Sequence, residues 1–274
     1  MTKLTNEEKI QNKLLKEKQK EDKKLQKIDN DIEKDLLKRE YIQQNEREIF
    51  EYKEYRAMVH KKNSPPKRSV LEEVGNSVTH GIGAILGIIG MILLLFNANG
   101  FREIFSAIIY GISMIFMMSM SCIYHALKNG TMAKHVLRRF DYSSIYILIG
   151  GTFTPMFLLF LYEFHPVLSI VFCSIQWSII IAGLVNVCVF GPGRHKAINM
   201  GLYITLGWCG ITFIPYLINN NLPLFWYILL GGVVYTVGII PFLLKNKAAH
   251  FIWHFFVLGG AILQFIGILL RLYL

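Results

Sequence analysis

Charge is scarce along most of this chain. Of its 48 Asp, Glu, Lys and Arg residues, 33 fall in the first 70 positions and only 15 in the remaining 204. A one-core soluble domain is excluded for that second part, and a mean hydropathy of +0.39 excludes disorder. Cysteine is also sparse. Cys122, Cys173, Cys188 and Cys209 sit at unrelated spacings within apolar runs, which argues against a disulfide framework or a Cys-based zinc site and for small apolar fillers. No proline or glycine precedes Pro65, so nothing punctuates the charged segment. No cleavable apolar core stands near the start, so no signal peptide is expected. A nucleotide loop, a Ser-His-Asp triad and a nucleic-acid platform are likewise missing, so no nucleic-acid partner is expected.

What remains is long apolar runs between charged joints. Uncharged stretches lie between Glu73 and Arg102, Glu103 and Lys128, Asp141 and Glu163, Glu163 and Arg194, Lys196 and Lys245, and Lys247 and Arg271. The fifth is twice the needed length, and Asn219, Asn220, Asn221 and Pro223 supply a turn in its middle. Seven spans follow, at roughly 78–96, 104–127, 142–162, 166–190, 197–218, 222–244 and 250–271. Lipid offers backbone amides no partner, so each must be helix. The expected fold class is an all-α polytopic membrane protein, divided into a charged helical extension and linker over 1–68 and a seven-helix domain over 69–274.

Orientation follows from the basic residues in the joints. Lys61, Lys62, Lys67, Arg68, Lys128, Lys134, Arg138, Arg139, Arg194, Lys196, Lys245 and Lys247 fall on one side, and only Arg102 and Arg271 on the other. Twelve against two predicts a cell-membrane protein with a cytoplasmic N-terminus and an external C-terminus.

The extension reads as a solvated helix opened by a capping box of Thr5 and Glu8. Leu25, Ile28 and Ile32, continued loosely by Ile42 and Ile49, form a broken stripe that offers a second copy a weak coiled-coil seam. A homo-oligomer through this helix is therefore one expectation, and a solitary charged helix near anionic lipid is the other. After Pro65 and Pro66, Ser69 and Glu72 make a second capping box, predicted to open a short interfacial helix over Val70–Asn76.

The informative residues are polar ones inside apolar spans. His250 and His254 in HFIWH are four apart and project from one helix face. His125, at the end of the second span, lies one turn after Ser121 on the same face, and Asp141 opens the third span. Alternation of direction puts His125, Asp141, His250 and His254 at one membrane depth. Three neutral imidazoles with an open fourth position form the ligand set of a catalytic zinc centre, which lowers the pKa of a bound water towards about 7. Asp141 would orient that water and take its proton, or hold a ligand imidazole, and Ser121 would donate to an oxyanion. The alternative is an interhelical polar clasp of the same residues, with Arg139 neutralising Asp141.

Four segments, EEVGNSVTHGIGA, SCIYH, RRFDYSSIYILIGGTFTP and HFIWHFFVLGG, occur in this order over about 200 residues. From Glu72 onward the chain resembles the hemolysin III branch of the progestin and adiponectin receptor family, within a wider group of membrane hydrolases that includes the alkaline ceramidases. The resemblance implies that Ser121 with His125, Asp141, and His250 with His254 occupy the family's zinc-site positions. It also implies the same orientation and, through the ceramidases, an amide-linked lipid as substrate. The charged extension lies outside the match, and Gln264 stands where relatives often carry another histidine.

Three functions remain open: a zinc-dependent hydrolase of membrane lipids, a cytolytic or membrane-perturbing protein, and a zinc-stabilised receptor or sensor. Several polar residues receive lesser roles. His80, with Asn76 one turn before it, is expected to support the site through a hydrogen bond. Cys122 is one turn from His125 but is expected to be apolar filler. Asn186 and Gln176 are expected to bond other helices. His60, His135, His165 and His195 are expected in solvent, and Pro155, Pro215 and Pro241 are expected to bend their spans.

Overall fold

Each apolar run folds as helix, since helix alone satisfies the backbone without water. The computed structural model describes residues 6–244, 246 and 248–274. No strand occurs among them. A charged helix, α1 (Asn6–Asn63), is followed by seven helices long and apolar enough to cross a membrane. These are α2 (Val70–Asn97), α3 (Phe101–Ala126), α4 (Met132–Phe164), α5 (Pro166–Phe190), α6 (Lys196–Asn220), α7 (Leu222–Leu243) and α8 (Ala249–Tyr273). The all-α, seven-span architecture is as the charge pattern anticipates.

Two compact units are present, Met1–His60 and Lys61–Leu274. In the first, Leu25, Ile28 and Ile32 are exposed, and Arg39 pairs with Asp35 one turn away at 3.1 Å. Thr5, the side chains of Glu8, Ile42, Ile49 and His60, and Lys245 and Lys247 lie outside the described residues.

In the second unit, α2 packs on α3, α3 on α4, α4 on α5, α7 on α8, and α8 returns to α2. Helix α4 is the central rod: 72% of its apolar window is buried, against 17–50% for the other spans. Outer faces carry exposed Ile85, Ile112, Ile181 and Ile240, a surface suited to acyl chains. The cysteines are free thiols.

Two boundaries differ from the sequence expectation, and two spans are irregular inside. The interfacial helix is continuous with the first span: the Ser69 hydroxyl accepts from the Glu72 amide at 3.2 Å, and nothing downstream breaks α2 before Asn97. Helix α4 starts ten residues before the expected 142, because Gly130 turns the chain at φ 85° and the Thr131 hydroxyl caps the Lys134 amide at 3.3 Å. Arg138 and Arg139 therefore lie on helix, not in a loop, and Asp141 lies within α4 and does not open it. Helix α6 is irregular, with a tight turn over Cys209–Phe213 before Pro215, which has no amide to donate. Pro155 similarly precedes a widened turn over Met156–Leu161 in α4, the local irregularity expected of an intrahelical proline. Asn221 caps α7, accepting from the Leu224 amide at 3.3 Å, so the asparagine cluster does divide the double-length run.

Candidate metal centre

Successive spans alternate in direction, so α2, α4 and α8 begin at the end of the bundle where α3 finishes. Each brings one polar face there. His125 closes α3 one turn after Ser121, and His250 and His254 lie in the first turns of α8. In α2, Glu73, Asn76 and His80 follow i, i+3, i+7 spacing and are all buried, one line on an otherwise apolar rod.

The imidazoles converge. His125 Nε2 lies 3.4 Å from His250 Nε2, which lies 3.3 Å from His254 Nε2. The three donor atoms are all within 4.8 Å of one another. Zinc–nitrogen bonds near 2.0–2.1 Å in tetrahedral directions separate neighbouring donors by about 3.3–3.4 Å, so two of the three edges already have coordination length. Hydrogen bonding does not account well for both contacts: His250 Nε2 has a single in-plane direction, along which it either donates one hydrogen or accepts at one lone pair, so one of the two contacts is left without a well-directed hydrogen bond. A cation at their centre removes that conflict, so this histidine group can hold a metal ion.

Around the triad, His80 stacks on His254 with ring centroids 3.9 Å apart, and among the described residues neither of its ring nitrogens has a hydrogen-bond partner. It thus meets a triad histidine through its ring face. His125 Nδ1 meets Glu73 Oε2 at 2.6 Å and Asn76 Nδ2 at 3.3 Å. Lys134 Nζ donates to Glu73 Oε1 at 2.9 Å and to the Leu127 carbonyl at 2.8 Å, and the lysine is fully buried. The Cys122 thiol meets Ser77 Oγ on α2 at 3.4 Å, and its carbonyl accepts from the same hydroxyl at 3.0 Å.

His80, Ser121, Asp141, His250 and His254 line one cavity of about 130 Å³, whose remaining wall is mostly apolar and includes Met117, Phe153, Trp208 and Gln264. All five residues singled out in the sequence therefore gather at one place, with His125 reached through His250. The Asp141 carboxylate interacts with Ser121, His125, Arg68 and Arg138. Arg139, expected to neutralise it, instead donates to the Cys188 and Val189 carbonyls at the end of α5, because the next position along the helix faces a different neighbour.

Two joint histidines are not simply solvated. His165 Nε2 contacts Tyr216 Oη at 2.7 Å, and His195 Nδ1 contacts Asn186 Oδ1 at 2.8 Å; both find partners on neighbouring polar side chains. His135 also has an interaction partner. Asn186 bridges to Asn199 at 3.0 Å and Gln176 to the Leu206 carbonyl at 3.4 Å, the interhelical bonds expected of them. In the sequence, Glu73 marks only a span boundary and Lys134 only a loop charge. The i, i+3, i+7 line through Glu73 was the available signal.

Seven apolar helices with an imidazole triad at one end define a polytopic membrane protein with a candidate metal centre. The model of the family described as Haemolysin-III related matches residues 68–265, and the chain belongs to that family. Hemolysin-3 of Bacillus cereus is 36% identical over 205 residues, covering 73% of this chain and 91% of that protein. The Hemolysin-3 homolog of Bacillus subtilis (strain 168) is 32% identical over 206 residues, covering 73% and 94%. Monocyte to macrophage differentiation factor of Homo sapiens is 26% identical over 222 residues, covering 77% and 89%.

Proposed function

We propose that the protein is a zinc-dependent hydrolase of an amide-linked membrane lipid, with a cytoplasmic N-terminus and its site beneath the inner headgroups. The observation that carries this reading is the joining of the histidine triad, Asp141 and Ser121 to one mainly apolar cavity within a membrane-spanning bundle. The twelve-to-two distribution of basic joint residues supports the orientation.

Zinc held by His125, His250 and His254 supplies Lewis acidity to a water or a carbonyl. The apolar wall receives an acyl chain and brings its first carbonyl to the polar end, replacing bulk water there. Asp141 takes a proton from the attacking water and returns it to the leaving amine. The Ser121 hydroxyl donates to the oxygen on which negative charge develops.

The test is incubation of purified full-length protein with ceramide-type amide lipids. Wild type releases fatty acid and Asp141→Asn does not; equal yields reject the proton-transfer role. Dye leakage from vesicles without fatty acid release favours membrane perturbation instead, and retained zinc with neither outcome favours a sensor.

A further inference from the structure

We infer that Glu73, neutralised by Lys134, is a positioning residue for the metal: it fixes the tautomer and ring orientation of His125, so that Nε2 is the bare donor. The inference rests on the zinc reading above. It starts from a choice that a neutral histidine must make, since one ring nitrogen carries hydrogen and only the other offers a lone pair. Two groups compete at Nδ1. Asn76 Nδ2, at 3.3 Å, would donate to a bare Nδ1; Glu73 Oε2, at 2.6 Å, would accept from Nδ1–H.

Lys134 decides the competition. Its ammonium lies 2.9 Å from the other carboxylate oxygen, so Glu73 is held as an anion and can only accept. A charge-assisted contact at 2.6 Å outweighs a neutral one at 3.3 Å. Nδ1 therefore carries the hydrogen, and the lone pair lies on Nε2, the atom facing His250 Nε2. The same contact holds the ring in one orientation, so that Nε2 stays aimed at its histidine neighbours.

Lys134 makes the arrangement tolerable in a buried site. A lone carboxylate there would be costly, and the ammonium cancels its charge. The same ammonium donates to the Leu127 carbonyl just past α3. One lysine at the start of α4 thus fastens the end of α3, which carries His125, to the start of α2, which carries Glu73.

The experiment measures zinc affinity of the purified full-length chain by chelator competition, with Zn²⁺ alone as ligand. Glu73→Gln keeps the shape but removes the anion, and should weaken binding about 10–100-fold. Glu73→Gln combined with Lys134→Met leaves no charge buried alone. It should unfold near the wild-type temperature in chelator yet show the same loss of affinity. Glu103→Gln, at the far end of the bundle, should bind as wild type. Wild-type affinity in either Glu73 variant, or an equal loss in Glu103→Gln, overturns the inference. Wild type that binds no zinc instead overturns the metal reading on which it rests.

Discussion

Replacing Lys134 with Met leaves the Glu73 carboxylate buried beside a methyl group. The lysine is fully buried and bonds Glu73 at 2.9 Å and the Leu127 carbonyl at 2.8 Å. Removing one member of a buried ion pair costs about 3–5 kcal/mol, and the abandoned carbonyl adds about 1 kcal/mol. The unfolding midpoint should fall on the order of 10–20 °C. Thermal unfolding in detergent with excess chelator reads this loss separately from metal binding. Adding Glu73→Gln to Lys134→Met should restore most of it, since a neutral pair leaves no stranded charge. The reasoning is refuted if Lys134→Met alone lies within about 1 kcal/mol of wild type, or if the two substitutions are additive.

Other consequences concern packing and the linker. A Cβ at Gly183 would lie 2.5–2.9 Å from three ring carbons of Tyr146, a fully buried side chain whose hydroxyl bonds Asn199 at 3.0 Å. Gly183→Val should therefore destabilise the bundle by about 1–3 kcal/mol in thermal unfolding, while Gly201→Ala, which meets open space, should not. Asn63 donates to the Phe190 carbonyl at 3.0 Å and accepts from the Gly193 amide at 2.7 Å. Asn63→Ala should speed amide exchange at Gly193 several-fold without changing the global midpoint, because a single local clamp is lost.

Much of the fold is legible in one dimension because lipid imposes a length and forbids alternatives to helix. Charges at Glu73, Arg102, Lys128 and Glu163 bracket runs that can do little else. The triad is legible for a similar reason: His125, His250 and His254 are expensive in apolar helices, and alternating direction brings them to one end. Glu73 and Lys134 escape that logic. A charge bordering an apolar run looks like an interfacial marker whether it faces water or a buried partner, and only the folded arrangement of α2, α3 and α4 tells these apart. The choice between Arg138 and Arg139 near Asp141 fails for the same reason, since adjacent helical positions point about 100° apart. The early start of α4 depended on the Gly130 turn and the Thr131 cap, which the count of apolar residues does not weigh.

Metal content tests the central claim most directly. Full-length protein purified with zinc in the medium, desalted and assayed by elemental analysis should hold about one zinc per chain, the number that one tetrahedral histidine triad takes. His250→Ala with His254→Ala should hold none. Stoichiometric zinc in that double variant, or a wild type that retains no metal, would contradict the account.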